Sequence, residues 1–227
     1  VEQFFRILVS SVDTMMLSSY NNDAVAAVGL VAQYSFFLML IFSIICTGCS
    51  IVLAQYLGAE KSKNELNRIA QACTVMIFAV SLLLTVLVIA GTGALLNCYE
   101  LEDSVRHFAW QYFVIYGGIC CFFNAFSLLQ GAILRSYGYT REVMIVSIVA
   151  NIVNVAGNAL SLYGWFGLPV LGVPGVAGAS GFAMIVSCVL FAVIIRRRKD
   201  VAFSFKGITK VPAESYKLVL KVGVPTA

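Results

Sequence analysis

Long apolar runs with almost no charge alternate along the chain with short polar connectors. Residues 24–59, 69–99, 108–134 and 143–195 each carry at most one charge. A bilayer core takes about 20 apolar residues per helix, so each run is long enough to span. None alternates with period two, which excludes a membrane β-barrel. The pattern predicts six spans, at 1–19, 25–57, 68–97, 106–135, 141–163 and 176–196. The turn Ser18 to Asp23 ends the first span. The loop Gly164 to Gly175, with Pro169 and Pro174, divides the last long run in two. Residues 212–222 predict an amphipathic helix leading into a seventh span. The chain opens and closes inside apolar segments, so it is expected to be part of a longer protein, with its first helix truncated.

Composition sharpens this picture. Hydrophobic residues make up 60% of the 227 residues and charged ones 11%, whereas soluble domains are nearer half apolar and a quarter charged. The expected fold class is therefore an all-α integral membrane protein, a six-helix transmembrane bundle. The net charge is +4, but its placement says more than its sum. Connectors 58–68, 135–142 and 196–221 hold Lys61, Lys63, Arg68, Arg135, Arg141, Arg196, Arg197, Arg198, Lys199, Lys206, Lys210, Lys217 and Lys221. The alternate connectors hold only Arg106. Under a six-span count all three basic connectors fall on one side, which the positive-inside rule makes cytoplasmic. The expected location is the plasma (inner) membrane, multi-pass. No basic face with interleaved polar contacts suggests nucleic acid.

The polar residues inside spans are the candidates for function. Asp13 lies in the first span, about two turns from its outer end. A carboxylate there costs about 3 kcal/mol or more, so taking up a proton or another cation becomes a usable event. The alternative is an acid near the interface that reaches water. Asn151, Asn154 and Asn158 recur at three and four residues in the fifth span, on one helical face. Such a stripe avoids lipid and faces either a neighbouring helix or a wet cavity. Gln33, Asn124 and Gln130 are single amides, read as packing residues or as cavity lining. Glu2 and Arg6 are four apart and suit a pair along one helix. The small residues of Gly175 to Gly181 predict close helix packing. Cys46 and Cys49 have redox-pair spacing, but their apolar setting reads as packing. His107 is the only histidine and has no Ser or Asp partner in a catalytic pattern. No catalytic set, metal site or cofactor is expected.

Several stretches, in order along the chain, resemble the multidrug and toxic compound extrusion (MATE) transporters. They are Val12–Leu17 with Asp23–Gly29, Val52–Ala59, Leu129–Gly138, Asn151–Asn158, Gly167–Ala179 and Leu220–Ala227. The resemblance implies twelve helices in two six-helix lobes, exporting organic cations by proton or sodium antiport through alternating access. Residues 1–196 would be the N-terminal lobe, 197–211 a cytoplasmic basic linker, and 212–227 the start of the seventh helix and second lobe. The partners implied are small organic cations, membrane lipid and that second lobe of the same chain, in a monomer. By resemblance Asp13 is the coupling acid, joined by Asn154 and Asn158. Some members have aspartate where this chain has Asn158, and a sixth-helix threonine where it has a residue near Ala183. Both departures leave the coupling ion open between proton and sodium. A lipid-linked precursor flippase of the same superfamily is the alternative, although such proteins line their cavity with several basic residues and these spans hold almost none.

Overall fold

The computed structural model describes residues 11–164, 169–204 and 211–226. Its helices are α1 (11–18), α2 (Asn22–Gly58), α3 (Lys63–Asn97), α4 (Asp103–Ser136), α5 (Thr140–Tyr163), α6 (Gly172–Arg197) and α7 (Ala213–Gly223). Five of them, α2 to α6, are long and apolar enough to cross a bilayer. The start of the first predicted span, with Glu2 and Arg6, lies outside the described residues.

Two helix starts differ from the hydropathy reading by about a turn or more. Helix α3 begins at Lys63 rather than 68. Ser62 and Glu65 form a reciprocal capping box, which satisfies orphan N–H groups and starts the helix inside the polar connector. Helix α6 begins at Gly172 rather than 176, with Pro174 as its third residue. A proline there loses no bond, because the first-turn N–H groups have no intrahelical partner. Gly172 has φ +60°, and a Cβ on it would come within 2.5 Å of Tyr20 Oη. Only glycine lets the α1–α2 turn close against the start of α6.

The helices run alternately up and down. The connectors at 59–62 and 137–139 and the stretch 198–204 share one end, called here the basic end. One apolar core near that end joins Phe42, Leu53, Ile77, Leu129 and Ile133, and it also contains Cys46, Cys49 and Cys73. A second core at the opposite end joins Ala24, Val31, Leu96, Tyr112 and Val173. On α3, Phe78, Leu82, Leu83, Val86, Leu87 and Ile89 are exposed. A helix that bares such residues suits lipid, not water.

Small residues set the closest approaches. A Cβ on Gly157 of α5 would come within 2.7 Å of Ala179 Cβ on α6, and one on Gly175 within 2.6 Å of Ser161 Cβ. Gly181 faces Cys120 of α4 at 2.3 Å by the same measure, whereas Gly178 faces open space. The expected tight packing of this run is thus divided between two neighbours. Helix α7 crosses α2 at backbone contact. A Cβ on Gly48 would meet Val219 O at 2.4 Å, and one on Gly223 would meet Ile44 O at 2.3 Å.

Helix α4 changes register midway. Phe113–Cys120 is π-helical, with regular α-helix on both sides. Wide turns of this kind leave carbonyls less well satisfied, and Thr85 Oγ1 of α3 donates to Gly118 O at 3.1 Å.

The stretch after α6 is strapped across the basic end. Tyr139 Oη donates to Asp200 Oδ2 at 2.5 Å, and Ala202 N donates to Tyr137 Oη at 3.1 Å. Ser204 N donates to Asn67 Oδ1 at 2.7 Å, and Gln71 Nε2 donates to Ser204 O at 2.5 Å. Arg198 pairs with Glu142 and lies over the Tyr139 ring, 4.4 Å from its centroid. The Tyr139 hydrogen bond, with help from Arg198 and Lys63, holds the Asp200 carboxyl below the usual carboxylate range.

Candidate functional site

A cavity of about 570 Å³ lies between the two cores, walled by α1, α2, α4, α5 and α6. Asp13 lines it. Because α1 is described only to residue 18, Asp13 sits little more than a turn from that helix end. Asn158 of α5 lies behind it, buried, and donates from Nδ2 to Asp13 Oδ1 at 2.8 Å. A carboxylate accepts and does not donate, so it selects the amide nitrogen. Asn158 Oδ1 is left buried with no hydrogen-bond partner among the described residues.

Asn154 lies one turn nearer the basic end. Its Nδ2 donates to Ser180 Oγ of α6 at 2.9 Å, and Ser180 also interacts with Tyr112 of α4. Tyr112 and Tyr116 stack with centroids 5.1 Å apart, and both line the cavity. Asn151 lines it as well. The asparagine stripe therefore serves both roles its position allowed: Asn154 joins two helices, and Asn158 holds the acid.

The other expected lining residues divide. Asn124 lines the cavity. Gln33 does not; it is exposed on α2 and away from the cavity wall. Gln130 does not either, and its buried Oε1 lacks a partner among the described residues. Hydropathy placed these amides in spans but gave no rotation about the helix axis, which decides what each one faces. Ala183 lines the cavity without offering an oxygen, whereas Ser180 and Ser187 on the same helix bring hydroxyls to it.

Four of the lining residues escaped the sequence reading. Ser180 was hidden in a run that reads as packing. Tyr112 and Tyr116 lie four apart on α4, a spacing that could have marked a shared face. Arg135 was counted with the basic connectors, yet it lines the cavity. His107 is exposed and shares a hydrogen bond with Gln111 at 2.9 Å. No cluster of three or more histidine, cysteine or acidic residues suited to a metal occurs among the described residues.

The MatE family model matches residues 1–160. The chain belongs to the MatE family. This is a family of membrane transporters. The MatE chain is 34% identical over 227 residues to YisQ, an uncharacterized transporter of Bacillus subtilis, covering 100% of itself and 50% of YisQ. It is 28% identical over 224 residues to a probable multidrug resistance protein NorM of Listeria monocytogenes, covering 94% of itself and 47% of NorM. The chain spans about half the length of these relatives. Its fold matches that of a multidrug resistance MATE family transporter in an outward-facing conformation, with TM-score 0.89 and 19% identity, covering 99% of this chain and 49% of that one. A MOP superfamily transporter from Pyrococcus furiosus, described by a reverse polarity of its binding pocket, matches with TM-score 0.88 and 19% identity, covering 99% and 49%. The MatE bundle thus corresponds to one lobe of these two-lobe proteins.

Proposed function

We propose that this chain is the first lobe of an ion-coupled antiporter that exports organic cations by alternating access. The observation that carries it is Asp13, the one carboxylate on the cavity wall among the described residues, hydrogen-bonded to Asn158. A carboxylate inside a half-apolar cavity attracts a cation strongly because few water dipoles screen it. A proton or sodium ion on the same carboxylate removes that attraction, so coupling ion and substrate compete. A ligand shifts two access states only by its differential affinity for them, so Asp13 must meet different surroundings in each. The orphan carbonyl of Asn158 would suit a sodium ion, and the Asp13 carboxylate suits either ion.

The NorM relatives are described as multidrug resistance proteins, which supports drugs as the substrate class. The second six-helix lobe is read as part of the same polypeptide, in a monomer. The basic end faces the cytoplasm, and the membrane is the plasma membrane. A lipid-linked precursor flippase has less support, since one basic residue, not several, lines the cavity among the described residues.

The test is efflux of ethidium by the full-length protein in vesicles with separately imposed proton and sodium gradients. Asp13→Asn should abolish gradient-driven efflux while expression and insertion stay normal. Undiminished efflux from that variant would refute the proposal.

A further inference from the structure

Helices α5 and α6 are packed neighbours, and each has two opposed faces. On α5, Val143, Ser147 and Asn154 line the cavity, while Ile145 and Ile152 are exposed. On α6, Ser180, Ala183 and Ser187 line it, while Ile185 and Val189 are exposed. At about 100° per residue the two sets on each helix lie roughly half a turn apart. The outward stripes of the two neighbours therefore form one apolar strip on the side away from the cavity, where acyl chains lie against it.

Both stripes end on an arginine. Arg141 lies four residues before Ile145 and shares its face, and Arg196 lies seven after Val189 and shares that one. Arg198 pairs with Glu142, which puts the end of α6 beside the start of α5. Arg141 and Arg196 thus occupy one corner of the basic end, on its outward side. Both are exposed, and among the described residues neither has a hydrogen-bond or ion-pair partner. The carboxylates nearest them in sequence are already engaged: Glu142 by Arg198, and Asp200 by Tyr139.

We propose that this corner binds the headgroup of an anionic glycerophospholipid, with its acyl chains laid along the α5–α6 strip. Arginine at the end of a span extends to headgroup level while its stem stays on apolar surface. Its guanidinium fork fits a phosphate. Two such cations without a protein counter-charge favour a lipid of net negative charge, because a zwitterionic one brings its own ammonium to the same corner. Basic clusters at the ends of membrane helices recognise anionic headgroups in this way. A soluble phosphate would meet the arginines but gain nothing from the strip. The lipid braces the hairpin whose inner face holds the Asn154–Ser180 hydrogen bond. None of this depends on what the cavity carries.

The test uses the full-length protein in phosphatidylcholine vesicles containing a small fraction of photoactivatable phosphatidylglycerol, with labelled peptides mapped by mass spectrometry. Labelling should fall on the outward faces of α5 and α6 near the basic end. Unlabelled phosphatidylglycerol should displace the probe, and inorganic phosphate should not. Arg141→Gln and Arg196→Gln should each lower labelling there about fivefold, and the double variant should lower it about twentyfold. Lysine at both positions should retain most of it, having the charge without the fork. Arg68→Gln, which removes an exposed cation on α3 at the same end, should leave it unchanged. The apparent Tm in pure phosphatidylcholine should be the same for all these proteins, which separates lost binding from lost folding. Labelling spread evenly around the bundle, an equal fall with Arg68→Gln, displacement by inorganic phosphate, or full labelling of the double variant would each overturn the proposal.

Discussion

Asn158 donates to Asp13 across the α1–α5 interface at 2.8 Å, and its own carbonyl oxygen is buried without a partner among the described residues. The pair is therefore asymmetric: the carboxylate is satisfied by an amide that is only half satisfied itself. Such a buried polar pair is costly to disturb from either side. Asn158→Ala removes a hydrogen bond to an ionisable group, worth about 1.5–3 kcal/mol. Transport by the full-length variant should fall about tenfold or more, measured as dye efflux in vesicles. Asn158→Gln keeps the amide but displaces it, and it should recover little.

The glycine crossing of α2 and α7 gives a second expectation. A methyl at Gly48 or Gly223 would overlap a carbonyl oxygen of the other helix. Backbone cannot step aside as a side chain can, and overpacking of this kind costs about 1–3 kcal/mol. Gly48→Ala and Gly223→Ala should each lower the apparent Tm of the purified full-length protein. Gly29→Ala, with nothing within 4 Å of its added Cβ, should leave Tm unchanged. Equal Tm values for all three would show that α7 does not press on α2.

The strap at the basic end should respond to acid. Hydrogen bonding from Tyr139 holds Asp200 below its ordinary range. A depressed carboxylate contributes its stabilisation above the unfolded-state value and loses it as pH falls through the folded one. Residues 198–204 should therefore be protected from hydrogen exchange at neutral pH and lose protection below about pH 4. Asp200→Asn and Tyr139→Phe should each abolish that pH dependence. Because Asp200 is exposed, global stability should hardly change.

The π-helical stretch of α4 offers a fourth test. Thr85 supports it through Gly118 O. Thr85→Val keeps the shape and removes the donor, at a cost of about 1 kcal/mol. Removing a single residue from 113–120 should tighten this stretch toward α-helical hydrogen bonding and shift Tyr112 and Tyr116 relative to one another and to the rest of α4. Dye binding by that deletion variant should fall sharply, while Thr85→Val should show only reduced thermal stability.

Most of the bundle was legible in the sequence because lipid punishes charge and unpaired backbone so severely that long uncharged runs have one solution. The boundaries that moved did so for local reasons. Ser62 and Glu65 extend α3 into polar sequence, and Pro174 is harmless in a first turn. Asp13 and the asparagine stripe stood out for the same reason the spans did: each is expensive where it lies. Gln33 and Gln130 were equally conspicuous but point elsewhere. Arg135 was missed because its place in sequence is a connector while its side chain folds back. Tyr112 faces the cavity beside a register change that no hydrophobic period announces.

The length of α2 has a consequence for how the protein sits in its bilayer. Its uncharged run is far longer than a hydrocarbon core of about 30 Å, and no ordinary tilt would hide the excess. Yet its exposed large apolar side chains are confined to Phe36, Phe37, Leu40 and Ile41, near the middle. Toward one end Ala24 and Ala27 are wrapped by protein, and toward the other Cys49, Val52 and Leu53 are. Neighbouring helices, not acyl chains, absorb the surplus. Membrane thickness should therefore have little hold on α2, and hydrophobic mismatch should fall on α3, whose apolar side chains are bare over a longer stretch.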